Sequence, residues 1–260
     1  MNTPLWYLLP KNLRVTLILI SAFLVWQFAV TWLKVPAVLV PSPVNVVQEI
    51  WNAPTFYLLH TIRTLQETIV GFGIAVILGV LLSVLVVSSR FLEETIYVLL
   101  IAVNAIPKVA VAPLFVVWLG TDLMPKYAIS ATIAVFVIVI DLVLGFRSVE
   151  RDKLDLARSL KGSRLQTLWL IRFPEALPHL FAGMKNASTL ALIGAIVGEF
   201  VASDRGLGYV IMLAQGSFET VRIFAAIAIL SLVGTLLFFM VEWAERLCLP
   251  WHASARNAYH

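Results

Sequence analysis

The chain has 260 residues, 60% of them hydrophobic and only 13% charged, with a formal net charge of +4. Apolar content this high suits hydrocarbon rather than water and excludes a soluble domain as the bulk of the molecule. The basic excess reads as membrane topology rather than nucleic-acid binding, and the single cysteine, Cys248, has no partner for an intramolecular disulfide.

A bilayer core needs roughly 20 mainly apolar residues per helix, so the length predicts an all-α polytopic membrane protein of about six spans, forming one domain over 1–260. The first apolar run, 15–33, follows Lys11 and Arg14. It is too long for a signal-peptide core and shows no small-x-small cleavage site, so it reads as a retained helix. Segment 34–60 follows as a loop, in which "PSPVNVVQEIW" sets Val44, Val47 and Trp51 at helical spacing behind two prolines. That pattern predicts a short interfacial helix, with a plain loop as the alternative.

The second span is the run 68–89, ending at Ser89, with a start a turn earlier near Thr64 as the alternative; the third covers 95–119, and "GTDLMPK" marks the turn into the fourth, 127–146. The fifth span covers 176–199 and the sixth 223–241. Six spans place both termini on one side. With the N-terminus inside, Lys11, Arg14, Arg90, Arg147, Arg151, Lys153, Arg158, Lys161, Arg164, Arg172, Arg246 and Arg256 lie inside, against Lys34, Arg63, Lys126, Arg205 and Arg222 outside. The positive-inside rule therefore predicts N-in, C-in.

Between spans four and five, 147–175 is too polar for lipid and too long for a minimal hairpin. Leu154, Ala157 and Leu160, then Leu165, Leu168 and Ile171, form two apolar stripes on either side of Lys161 and Gly162. They predict two short amphipathic helices joined by a glycine bend. The segment either rests on the protein's own inner surface or meets a partner.

Charges inside spans are costly enough to be functional candidates. Lys108 stands between Pro107 and Pro113 and either snorkels or lines a solute path. Asp141 and Lys185 are expected to form a buried ion pair or to bracket an inner gate. Glu199 ends the fifth span, before a loop in which Gly206 and Gly208 permit a tight turn. The histidines are scattered without a metal-binding or catalytic spacing, and no phosphate-binding glycine loop is present. An enzyme, a metal site and a cofactor are not expected.

"DLARSLKGSRLQTLWLIRFPEALPHLFAGMK" resembles the cytoplasmic E-A-A loop of permease subunits of binding-protein-dependent ABC importers. Asp155 stands for the family Glu, Ala157 for the second Ala, and Ile171 and Pro174 for the closing I and P. Leu156 replaces the first Ala, and Lys161 occupies the usual Gly position with Gly162 one place late, which predicts a bend shifted by one residue. "AIPKVAVAPLFVVWLG", "PSPVNVV" and "LPWH" are similar to the nitrate, sulfonate and taurine group, and "EFVASDRGLGY" to its pyrimidine and riboflavin subset.

The resemblance implies a type I permease fold with a core over 60–248, in a bacterial inner membrane. It implies that 147–175 seats in a cytoplasmic ATPase subunit through Asp155, Ala157, Arg158, Ser159, Leu160, Lys161 and Gly162. Lys108, Asp141, Lys185 and Glu199 would belong to the translocation path or its gates. Gly206 and Gly208 would lie on an outer loop near an extracytoplasmic substrate-binding protein. Two ATPase copies and a permease homodimer complete the implied assembly. The implied cargo is a pyrimidine or riboflavin-like heterocycle, or else nitrate, an alkanesulfonate such as taurine, or another small anion. An ATP-independent secondary transporter is the rival of a different class.

Overall fold

The computed structural model describes residues 11–88, 102–103 and 105–250. Among them every regular element is helical: α1 (Lys11–Trp32), α2 (Pro43–Asn52), α3 (Pro54–Ser88), α4 (Lys108–Leu119) and α5 (Met124–Arg147), then α6 (Arg151–Ser159), α7 (Arg164–Thr167), a π turn (Leu168–Arg172), α8 (Phe173–Val201), α9 (Leu207–Gly216) and α10 (Thr220–Cys248). Among the described residues four helical stretches are long and apolar enough to cross a membrane: α3, α5, the continuous run Arg164–Val201 that includes α8, and α10. Shorter apolar helices lie at Thr16–Trp32, α4 and α9. The expected first and third spans correspond to Thr16–Trp32 and α4, and much of the third, together with Arg90 and Arg256, lies outside the described residues.

The expected interfacial helix is α2. Ser42 caps it by accepting the Asn45 amide at 3.3 Å, and Pro43 occupies the first turn, where a missing N–H costs no hydrogen bond. Pro43 and Val46 turn inward, while Val44, Val47 and Trp51 stay exposed. α3 begins at Pro54, well before the expected start at Thr68 or a turn earlier at Thr64. The polar side chains in its first turns do not end the helix, because they find partners inside the protein.

α5 is the central element, lined against α3 and α8. Apolar side chains gain nothing by leaving hydrocarbon for one another, so close backbone approach must carry this packing. Gly194 of α8 shows how close: a Cβ there would stand 2.5 Å from the Ser130 Cα of α5. The Ser130 hydroxyl donates to the Ala191 carbonyl at 2.8 Å, pinning the two helices at the same point. Ile138, Leu142, Phe146, Ala187 and Ala191 fill one core, and Tyr57, Leu207, Val210, Ala225 and Ala226 fill a second between α3, α9 and α10.

Candidate functional site: a loop, a latch and a seam

At one end of the bundle α6 and α7 form the expected pair of short helices. The Lys161 amide donates to the Arg158 carbonyl at 2.9 Å and the Gly162 amide to the Ala157 carbonyl at 2.9 Å. Those two bonds make a Schellman motif, whose left-handed residue follows the C-cap Leu160. That residue is Lys161, at φ 56°, whereas Gly162 does not adopt a positive φ. The expectation of a shifted bend is therefore corrected: the bend stays at the position where the resemblance has glycine, because the hydrogen bonds of the helix end select the seat whatever residue fills it.

Ser163 then starts α7 with a reciprocal capping box, accepting the Gln166 amide at 3.2 Å while Gln166 Oε1 accepts the Ser163 amide at 2.8 Å. The π turn follows immediately before Phe173 and Pro174. In a regular helix the Pro174 ring would collide with the Leu170 carbonyl, and the widened turn relieves that clash.

Of the expected contact residues, Asp155, Arg158, Ser159, Leu160, Lys161 and Gly162 are exposed, but Ala157 is buried and packs inward. Asp155 and Arg158 pair with each other at 2.8 Å, and the Ser159 hydroxyl donates to the Leu156 carbonyl. Leu156, Leu160, Leu165 and Leu170 are each more than 60% exposed, and Arg158, Lys161 and Arg164 stand among them. Lys153 ties α6 to the first turn of α8, donating to Glu175 at 2.5 Å with Glu150 at 3.6 Å. The Glu175 bond holds the Lys153 ammonium above the usual lysine range.

At the opposite end α8 finishes beside a buried polar cluster. Glu199 is not a solvated residue at a helix end: it is 2% exposed, accepts the Thr64 hydroxyl at 2.6 Å and accepts the Gly208 amide at 2.5 Å. Thr64 Oγ1 also accepts the Leu207 amide at 2.8 Å, and His60 Nδ1 accepts the Gly206 amide at 2.9 Å. Three successive amides at the start of α9 are thus held by side chains from α3 and α8. Gly206 sits at φ 105°, and a Cβ there would overlap the Glu199 carboxylate, so both the angle and the space require glycine.

One turn along α3, Glu67 is fully buried, with Arg63 Nε at 3.2 Å and Lys126 Nζ at 3.6 Å. Lys126, expected in an outer turn, is 2% exposed. Nearby, Tyr57 donates to Glu49 at 3.2 Å, and Arg222 joins Glu49 at 3.3 Å and pairs with Glu219. Sequence reasoning missed His60, Thr64 and Glu67, although their spacing places a polar stripe on one face of α3.

Within the bundle the expected Asp141–Lys185 pair does not form. Lys185 donates instead to Glu245 of α10 at 2.8 Å. Asp141 packs against Gly183 of α8, and residues two apart on a helix point in nearly opposite directions. Lys108 begins α4, its ammonium 4.9 Å from the Phe136 ring centroid.

Residues 71–248 match the family described as binding-protein-dependent transport system inner membrane component. The riboflavin transport system permease protein RibX of Chloroflexus aurantiacus is 40% identical over 245 residues, which cover 94% of this chain and 91% of that one. The formylaminopyrimidine transport permease protein ThiX of Halalkalibacterium halodurans is 31% identical over 242 residues, covering 93% and 96%. In solved structures the fold recurs in a chain of an amino acid ABC transporter crystallised with histidines, with TM-score 0.64 at 13% identity over 76% of this chain and 97% of that one. It recurs in the MetNI methionine ABC transporter, with TM-score 0.59 at 18% identity over 80% and 98%. The all-α fold is therefore of the type I permease kind, and the chain belongs to the binding-protein-dependent transport system inner membrane components, as a multi-pass membrane permease rather than a catalytic enzyme.

Proposed function

We propose that this permease serves an ATP-driven importer. It would form a single membrane domain with both termini in the cytoplasm and take a small polar solute from an extracytoplasmic binding protein by alternating access. The observation that carries the reading is the loop end. Leu156, Leu160, Leu165 and Leu170 stand exposed among Arg158, Lys161 and Arg164 on two short helices, one of them linked to α8 through Lys153 and Glu175. Leucines left out of both lipid and the protein's own core favour a docked partner, and a chain without a phosphate loop needs its ATPase on that partner.

Two ATPase subunits and a second copy of the permease complete the assembly around a two-fold axis. Motion of the ATPases would pass through 147–175 into α5 and α8. Lys108 and Asp141 belong to the path, Lys185 acts as a structural cation for Glu245, and Glu199 with Gly206 and Gly208 belongs to the outer gate. The relationship to proteins named for riboflavin and formylaminopyrimidine transport favours a heterocyclic cargo over nitrate or a sulfonate.

Copurification with the cognate ATPase and ATP-dependent uptake in proteoliposomes test the reading. Leu160→Glu is expected to abolish both while the permease keeps its melting temperature. Retained coupling in that variant would remove the loop from its proposed role. Uptake by the permease alone without ATP would establish a secondary transporter instead.

A further inference from the structure

The seam between α5 and α8 carries polar groups that the fold itself does not use. Gly145 of α5 faces His179 of α8, and one turn further on Asp141 of α5 faces Gly183 of α8. Asn186 lies another turn along α8, at the middle of that helix. Asp141 and His179 are partly exposed, and Asn186 is exposed. Among the described residues His179 Nδ1 is buried without a hydrogen-bond partner. Among the described residues the Asp141 carboxylate has no ion-pair partner; Lys185 is engaged with Glu245, and the Lys108 ammonium lies over Phe136. Phe136 and Asp141 lie on different sides of α5, about 140° apart at 100° per residue.

A carboxylate and a side-chain amide on the open side of spanning helices are too costly to face lipid, and such groups mark a water-filled path. Their chemistry also restricts what can sit there. A carboxylate only accepts hydrogen bonds, an amide both donates and accepts, and a neutral imidazole nitrogen does one or the other. Nitrate and sulfonate bring no proton for Asp141 and add a second negative charge in a medium of low dielectric. A neutral ring with an N–H beside a carbonyl satisfies both Asp141 and Asn186.

We propose that Asp141, Asn186 and His179 form a solute-recognition patch within the permease, selecting neutral heterocycles with adjoining N–H and carbonyl groups and rejecting small oxyanions. This assignment rests on the importer reading and adds the substrate class to it.

The test uses the purified, nucleotide-free permease–ATPase complex with riboflavin as the fluorescent probe. Riboflavin is expected to be quenched on binding and displaced by uracil, an imide, but not by nitrate or ethanesulfonate in hundredfold excess. Asp141→Asn and Asn186→Ala are each expected to weaken riboflavin binding roughly tenfold, the loss of one good hydrogen bond. Ile193→Ala, exposed on the same α8 face, is expected to leave it within twofold. Unchanged affinity in a folded Asp141→Asn complex, displacement by either oxyanion, or no binding of riboflavin or uracil by a complex with intact uptake overturns the patch. Failure of the ATPase to copurify, or uptake that ignores ATP, overturns the importer reading instead.

Discussion

Replacing Lys161 by glycine is expected to stabilise the loop. A side chain held in the left-handed region costs about 1–2 kcal/mol, which glycine avoids. Glycine returns part of that gain through its freer unfolded state, leaving about 1 kcal/mol. Because Lys161 is exposed at φ 56°, little packing is lost in exchange. A gain of that size corresponds to roughly fivefold slower local opening. Amide hydrogen exchange of a peptide covering 151–163 reads it directly, with a peptide from α10 as the internal reference. Gly162→Ala supplies the contrast: its added Cβ would stand 3.0 Å from the Ala157 carbonyl and should speed exchange modestly. If Lys161→Gly exchanges no more slowly, or Gly162→Ala exchanges more slowly, the Schellman seat has been assigned to the wrong residue.

Gly206→Ala forces a side chain into φ 105° and displaces the Glu199 carboxylate from Thr64 and Gly208. With about 1–2 kcal/mol for the backbone and about 0.5–1.5 kcal/mol for each hydrogen bond lost, a clear drop in the melting temperature of the detergent-solubilised permease is expected. Lys185→Glu or Glu245→Lys alone should cost about 3–5 kcal/mol, as breaking a buried pair does, and the double exchange should recover most of it in the same melt. Recovery by an Asp141→Lys, Lys185→Glu exchange instead would restore the abandoned pairing. For Lys153, a value raised in the folded state means that the link to Glu175 contributes fully below the ordinary lysine value near 10.4 and is lost as pH rises past the raised one. Protease resistance of α6 should stay level through neutral pH and fall only in strong alkali, a fall that Lys153→Met should lack.

The spans, the interfacial helix behind Ser42 and the two short helices of the loop were legible because each depends on local pattern: apolar length, proline placement and spacing. The seat of the bend was not. Gly162 advertised itself as the flexible residue, but the carbonyls of Ala157 and Arg158 choose the left-handed position by counting back along the helix, and they choose Lys161. The partner of Lys185 was equally hidden. Asp141 and Glu245 are both acidic residues far away in sequence, and only the angular position of Lys185 on α8 separates them. The polar stripe His60, Thr64 and Glu67 was present in the sequence. It was passed over because segment 34–60 read as a loop, so the start of α3 was set too late for its face to be traced.

The π turn at Leu168–Arg172 has a mechanical consequence. Arg164–Val201 is a continuous helical run of 38 residues, about 57 Å long at 1.5 Å per residue, with Leu165 and Leu170 toward one tip and Glu199 near the other. A lever of that length turns a tilt of about 10° at its base into a sweep of about 10 Å at its far end. The widened turn lies close to the loop tip, so a tilt applied there would reach the long arm through it. The short amide-holding carboxylate at the far tip is then the load that the arm carries, and α9 is expected to travel with it.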